Sequence, residues 1–113
     1  MTEFDQMCPY FHKAMTILGK KWTGQILRSF IEGSRRFTDI STYVHGISDR
    51  LLSQRLQELE GEDIILRQVY SSRPVVVEYS LTDKGQALRQ VVEAVQRWAD
   101  RWIDDPVVAT NRA

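Results

Sequence analysis

The sequence predicts a mainly helical α+β fold in which helices flank a single β-hairpin. Apolar residues recur every three or four positions along most of the chain, and glycine or proline interrupts this pattern at intervals typical of helix ends. Two short runs rich in β-branched and aromatic residues lie between residues 65 and 81. With 113 residues, the chain has the size of one domain with one hydrophobic core. We therefore treat residues 1–113 as a single domain.

The first two predicted helices are delimited by proline and glycine. Pro9 suits the first position of a helix, where its missing N–H is not needed, and Gly19 suits the position that closes one. A first helix is therefore predicted from Pro9 to Leu18. A second is predicted over 20–32, because its apolar residues have helical spacing and Gly33 follows them. These apolar residues are Trp22, Ile26, Leu27 and Phe30.

A short helix, a turn and a longer helix come next. Apolar residues three and four apart predict a helix over 37–44, and His45-Gly46 breaks that pattern. Ser48 is a favourable N-cap for a fourth helix that runs to Glu60. The apolar stripe of this helix is formed by Leu52, Leu56 and Leu59.

The hairpin and the last helix complete the predicted fold. Ile65–Tyr70 and Val75–Leu81 are the predicted strands, joined by a polar tip that carries Arg73. Thr82 is the predicted N-cap of a long final helix. Its apolar residues are spaced like a coiled-coil seam, which needs a partner helix. The seam residues are Leu88, Val91, Val95, Trp98 and Trp102.

A compact helix pair followed directly by a hairpin is the order of a winged helix-turn-helix, whose second helix enters the major groove of DNA. Arg50, Gln54 and Gln57 project from the side opposite the leucine stripe, with Ser53 on the flank. Glutamine can pair with adenine and arginine with guanine through bidentate hydrogen bonds. The sequence therefore predicts a DNA-reading face on the fourth helix.

Further polar residues near the helix pair are predicted to contact DNA outside the bases. Arg73 at the hairpin tip can reach a neighbouring minor groove. The formal net charge of zero counts against a nucleic-acid partner, because DNA-binding proteins usually carry a basic excess. Arginines nevertheless concentrate in the middle of the chain. The predicted phosphate contacts are Arg35, Arg36, Thr38 and Ser48.

Two other interpretations of the fourth helix remain open. Its polar residues also fit an ordinary solvated helix face, and winged-helix domains sometimes bind protein instead of DNA. A protein-binding groove would show exposed aromatic or aliphatic anchors. The outward positions carry arginine, serine and glutamine, which favours DNA as the partner.

Short motifs along the chain form a distinctive series. In order they are Cys8-Pro9, Leu18-Gly19-Lys20-Lys21-Trp22-Thr23, Gly33-Ser34-Arg35-Arg36-Phe37-Thr38-Asp39-Ile40, Gly46-Ile47-Ser48, Val77-Glu78-Tyr79-Ser80-Leu81-Thr82 and Lys84-Gly85. Over residues 8–102 the chain resembles the HxlR family of bacterial winged-helix regulators, which are relatives of the MarR group.

The resemblance implies a homodimer whose first and last helices form the interface. It also implies an inverted-repeat operator with two half-sites, a regulatory role that is often repression, and no catalytic activity. The seam on the last helix agrees with a dimer, since its side chains would otherwise face water. The predicted interface residues are Tyr10, Phe11, Leu88, Val91, Val95, Trp98 and Trp102.

Cys8 is the only cysteine, so it is a buried apolar residue, a reactive thiol, or half of a disulfide between two chains. A thiol at a helix start feels the helix dipole, which favours the thiolate, and His12 lies one turn away. The resemblance points to redox sensing, because some HxlR-like regulators sense electrophiles or oxidants through a cysteine in this position. Cys8 is therefore the candidate sensor.

Other chemistries have weak support in the sequence. Cys8 and His12 supply only two soft ligands and no orienting third group, so we expect no metal site, no cofactor and no enzyme. A small-ligand pocket at the dimer interface stays an alternative, although aromatic residues at helical spacing usually belong to a core. The aromatic residues that would line it are Tyr10, Phe11, Trp22, Trp98 and Trp102.

The apolar content and the ends of the chain indicate where in the cell the protein is located. No apolar run approaches the roughly 20 residues that cross a bilayer, and the acidic N-terminus lacks the features of a signal peptide. We therefore expect a cytoplasmic protein with no membrane partner. Residues 105–113 show no periodicity and are expected to form a flexible tail.

Overall fold

The computed structural model describes residues 8–104, and within them it confirms a helical fold with one antiparallel hairpin. The predicted tail at 105–113 lies outside the described residues. In chain order the elements are α1 (Pro9–Leu18), α2 (Thr23–Ile31), α3 (Phe37–Tyr43), α4 (Asp49–Gly61), β1 (Ile65–Tyr70), β2 (Val76–Leu81), α5 (Asp83–Ala87) and α6 (Arg89–Trp102).

The hydrophobic core lies between α2, α3, α4 and the base of the hairpin. The predicted leucine stripe of α4 is buried there, with Leu52 0% exposed. The tight turn before α4 is also confirmed, because Gly46 has a φ of 105° that favours glycine. The buried apolar residues are Ile26, Leu27, Phe30, Ile40, Val44, Ile47, Leu52, Leu56, Leu59, Ile64 and Ile65.

The hairpin, called the wing below, projects away from this core. Its two strands pair antiparallel in a register that runs from Ile65 opposite Leu81 to Tyr70 opposite Val76. Ile65 is the only buried residue of β1. The wing is therefore anchored at its base, and its tip is free to approach a partner.

The base of the wing is fixed at one corner by Thr82 and Gly85. The Thr82 hydroxyl donates to the carbonyl of Asp63 at 2.7 Å and accepts from the Gly85 N–H at 3.0 Å. Gly85 is buried, and a Cβ atom there would collide with the backbone carbonyl of Ile64. This corner sets the position of the wing relative to the end of α4.

Two helix boundaries differ from the sequence prediction. The second helix begins at Thr23 and not at Lys20, because residues 19–22 form a turn in which Trp22 has a left-handed φ of 80°. The long final helix is interrupted at Leu88, which separates α5 from α6. Leu88 packs against the core and is half-buried. Leu88, a predicted interface residue, therefore contacts the core of its own chain, and its place in a dimer interface stays a prediction.

Helices α1 and α6, called the arms below, flank α2 and contain no buried residue. Their inner sides touch the core through partly buried residues such as Ile17 and Val92. Their outer sides carry large exposed apolar side chains. In residues 8–104, no helix combines the length and apolar character that crossing a membrane requires.

Candidate nucleic-acid interface

Helix α4 presents the polar face that the sequence predicts. Arg50, Gln54 and Gln57 are all exposed, because the buried leucine stripe holds the opposite side of the helix against the core. Ser48 is exposed as well, and its hydroxyl oxygen accepts from the N–H of Leu51 at 3.1 Å, which caps the helix. The three outward side chains therefore extend from a rigid helix with a fixed start.

The start of α3 holds a pair of arginines in a fixed backbone. The Asp39 carboxylate accepts from the backbone N–H groups of Arg35 and Arg36 at 3.3 and 3.1 Å. The N–H of Tyr79 on β2 donates to the carbonyl of Arg35 at 2.7 Å. Both arginine side chains and that of Thr38 are exposed. The predicted phosphate contacts at this position are thus anchored to the wing and open to solvent.

A polar groove separates α4 from the wing. It has a volume of about 350 Å³ and is lined by Ser53, Leu56, Gln57, Glu60, Arg67 and Tyr79. Ser53, which the sequence placed on the flank of α4, therefore faces the wing. Arg73 is exposed at the tip of the wing, where the Ser72 hydroxyl donates to the Pro74 carbonyl at 2.8 Å.

The other flank of α4 contacts the turn after α1. Three charged residues form this contact, and we call them the turn clamp: Lys20, Arg55 and Glu58. Arg55 donates through Nε to the carbonyl of Lys21 at 3.0 Å and through Nη1 to Glu58 at 3.1 Å. Lys20 donates to the second oxygen of Glu58 at 2.9 Å. A further ion pair joins Lys13 of α1 to Glu62 at 3.0 Å. These contacts attach α1 and the turn after it to α4.

The contacts of the turn clamp also lower the pKa of Glu58, and Gln54 contributes to this change. The hydrogen bond from Lys20 lowers the pKa of the Glu58 carboxyl below its ordinary value, against partial desolvation, and the charge of Arg55 lowers it further. The Gln54 amide makes a smaller contribution in the same direction. Gln54, a predicted base contact, therefore also faces Glu58 one turn along α4. The sequence reasoning missed this cluster, although Arg55 and Glu58 have the i,i+3 spacing of a helix-surface ion pair.

Cys8 is a free thiol at the start of α1. It is the N-cap residue, it is half-buried, and its side chain makes no capping hydrogen bond. The N–H of His12 donates to the Cys8 carbonyl at 2.9 Å, while the His12 side chain is exposed. In residues 8–104 no three His, Cys, Asp or Glu side chains form a group that could hold a metal ion.

The arms expose most of the predicted interface residues. An open apolar groove on α6 is lined by Gln90, Val91, Ala94, Val95 and Trp98. Leu88 differs from the others because it packs against the core. The exposed fractions are 86% for Tyr10, 65% for Phe11, 43% for Val91, 62% for Val95, 59% for Trp98 and 64% for Trp102.

Comparison with known proteins identifies regulators of similar sequence and fold. The HTH-type transcriptional regulator YvaP of Bacillus subtilis is 46% identical over 99 residues, covering 88% of this chain and 92% of that protein. YodB of the same organism is 42% identical over 98 residues, covering 87% of this chain and 88% of that one. Both relatives match nearly the whole chain.

Solved structures of similar regulators superpose on the described fold. The reduced form of YodB has a TM-score of 0.75 at 41% identity and covers 88% of this chain and 97% of that one. The redox regulator HypR in its oxidized form has a TM-score of 0.80 at 34% identity and covers 87% of this chain and all of that one. YodB has also been solved after diamide treatment and with bound quinone.

The family model for the HxlR-like helix-turn-helix matches residues 17–106. This match spans α2, α3, α4 and the wing, where the polar face of α4 and the arginine pair lie. It confirms the resemblance seen in the sequence motifs. The relatives are transcriptional regulators and not enzymes. The chain belongs to the HxlR-like helix-turn-helix family of transcriptional regulators.

Proposed function

We propose that this regulator is a cytoplasmic homodimer that binds an inverted-repeat operator and acts as a repressor. The observation that carries the proposal is the exposed polar face of α4, held in place by a fully buried leucine stripe. Arg50, Gln54 and Gln57 would read bases in the major groove. Arg35, Arg36, Thr38 and Ser48 would contact phosphates, and Arg73 would enter the adjacent minor groove.

The exposed arms support a dimer. Several large apolar side chains, among them Tyr10 and Trp98, are exposed on the arms, and burying them against a second copy is favourable. A small ligand at this surface remains the alternative, supported by the apolar groove on α6. That groove is open along one helix, so we assign it to the partner helix.

Cys8 is the proposed sensor of thiol-reactive compounds. Its support is a half-buried free thiol at the start of an arm, together with the diamide-treated and quinone-bound structures of YodB and the oxidized structure of HypR. Each copy of this chain has one cysteine, so modification gives an adduct or a bridge to a second copy. Either product adds volume where α1 begins and would shift the arm that contacts the end of α4 through the Lys13–Glu62 ion pair.

Selection of DNA from a random library, followed by titration of the selected duplex, tests the DNA-reading role. Gln54→Ala and Gln57→Ala should each weaken specific binding by about 1 to 3 kcal/mol and leave binding to random duplex nearly unchanged. Equal losses on both duplexes would reject base reading. Failure of the wild type to retain any duplex would favour a protein-interaction module instead.

Treatment with diamide or a quinone tests the sensor. Operator affinity of the wild type should change on treatment, whereas Cys8→Ser should not respond, because the replacement hydroxyl is not nucleophilic at neutral pH. An equal response in both proteins would place the signal elsewhere. Modification of Cys8 in the mass spectrum without any change in affinity would make the cysteine structural.

A further inference from the structure

Arg67 occupies an unusual position on the inner face of the wing. It pairs with Tyr79 across the hairpin, two residues from the pair of buried Ile65 and half-buried Leu81. Alternate residues of a strand share one face, so Arg67 lies on the face that turns toward α4. This agrees with the groove, whose lining includes both Arg67 and Tyr79. The inner face of the wing therefore presents a cation to α4.

The Arg67 guanidinium is not used by the protein itself. Arg67 is exposed, and in residues 8–104 its side chain makes no hydrogen bond or ion pair. Arg55, on the opposite flank of α4, is 13% exposed and is committed to Lys21 and Glu58. The two arginines flank the same helix, but only Arg67 is available to an external anion.

The course of a bound duplex determines what can occupy this groove. If α4 lies in the major groove and the wing tip in the adjacent minor groove, the sugar-phosphate strand that divides the two grooves must cross between them. The groove lined by Ser53, Gln57 and Arg67 lies between these two elements. Its hydroxyl, amide and guanidinium groups are donors suited to phosphate oxygens.

We propose that Arg67 binds a DNA backbone phosphate in the groove between α4 and the wing, and that Glu60 on the facing wall weakens this contact. The inference rests on the proposed function and adds two residues to it. Glu60 makes no side-chain hydrogen bond or ion pair in residues 8–104, so its charge acts on a phosphate without compensation. The groove thus presents an attractive charge from the wing and a repulsive charge from α4 to the same strand.

The test measures affinity for a mixed-sequence duplex of about three helical turns at several salt concentrations. Arg67→Gln should lower the log–log salt slope by about 0.9, which corresponds to one phosphate contact, and should weaken binding roughly tenfold at low salt. Arg67→Lys should retain most of the slope, because an ammonium also binds phosphate. Glu60→Gln should strengthen binding severalfold. The matched control is Arg97→Gln, which removes an exposed arginine from α6.

The outcomes separate this inference from the proposed function. A wild type that binds no duplex overturns both. A wild type that binds, together with an unchanged salt slope in Arg67→Gln, overturns the Arg67 contact alone. Losses of equal size in Arg67→Gln and Arg97→Gln would reduce the effect to net charge and would also overturn it. Circular dichroism and the melting temperature of each variant show whether the fold is retained, and a misfolded Arg67→Gln is replaced by Arg67→Met.

Discussion

The core helices and the arms of this regulator differ in where their apolar side chains go. In α2, α3 and α4 most of the large apolar residues turn inward, and Ile26, Ile40 and Leu52 are each 0% exposed. In α1 and α6 the largest ones turn outward, as Tyr10 at 86% and Trp98 at 59% show. The apolar core is therefore formed within one chain, whereas the arms leave large apolar side chains exposed.

The attachment of α1 to the core follows from the same difference. Ile17 and Leu18 of α1 are partly buried against the core, and the Lys13–Glu62 pair and the turn clamp join α1 and the turn after it to α4. Partly exposed ion pairs are weak and are screened by salt, whereas buried leucines are insensitive to it. The attachment of α1 should therefore weaken with added salt more than the packing of the core does.

The largest effect should come from a core deletion. Leu52→Ala is expected to lower the free energy of unfolding by about 3 kcal/mol or more, because it leaves a cavity beneath α4. The matched change on an arm is Val95→Ala. The Val95 side chain is 62% exposed, so this change should cost well under about 1 kcal/mol in the monomer. Urea unfolding at equal, dilute protomer concentration measures both. Similar losses in the two variants would contradict the distinction between core and arm.

Trp98→Asp should have the next largest effect, on assembly and not on the core. A charge placed within the proposed interface would be buried without a partner, which should weaken the dimer by about 3 kcal/mol, or more than 100-fold. Sedimentation velocity should show a folded monomer that no longer binds the operator. Arg97→Asp is the control on another side of α6. A fully dimeric Trp98→Asp protein would move this tryptophan out of the interface.

Ser29 is the one side chain in the described core with a buried polar atom that lacks a hydrogen-bond partner. Its hydroxyl is fully buried in α2 and has no hydrogen-bond partner in residues 8–104. Burial without a partner is unfavourable, so Ser29→Ala should raise the free energy of unfolding by about 1 to 2 kcal/mol. The melting temperature of the variant measures this gain. A loss of stability would mean that the hydroxyl does have a partner in solution.

A substitution in the turn clamp should have the smallest effect on the free energy of unfolding, and this effect should depend on pH. The pKa of Glu58 is lowered in the folded protein, so its contribution is present above the unfolded pKa and is lost as the pH falls through the folded pKa. Glu58→Gln should therefore cost about 1 kcal/mol at neutral pH and progressively less in acid. Urea unfolding at several pH values measures this convergence. Glu60 has no ion-pair partner in residues 8–104, so Glu60→Gln should show no comparable cost. If the unfolding free energies of wild type and Glu58→Gln changed in parallel with pH, Glu58 would not contribute to stability through the turn clamp.

The elements predicted well are those with local signals. Pro9 at the start of α1, Ser48 before α4 and the two β-branched runs each specify their element within a few residues. The interruption at Leu88 has no such signal, because neither glycine nor proline stands there and the helical spacing continues across it. The left-handed Trp22 is also invisible in the sequence, because non-glycine residues rarely adopt that conformation.

Only the part of the candidate site that has a local sequence signal was predicted. The outward face of α4 follows from helical periodicity alone, and its residues are exposed as expected. The contact of Arg55 with Lys21 joins residues 34 apart, and the position of Arg67 opposite α4 depends on how the wing packs. Contacts of this kind are set by tertiary structure, so residue spacing in the chain could not reveal them.

The corner at Gly85 limits how this protein can vary. In a library that samples every amino acid at every position, Gly85 should be depleted of all substitutions, alanine included, because even a methyl group meets the Ile64 backbone. Gly61, at the end of α4, has open space around its Cα and should accept many residues. Wings of different sequence can therefore be exchanged on this scaffold, provided that the glycine at the joint is kept.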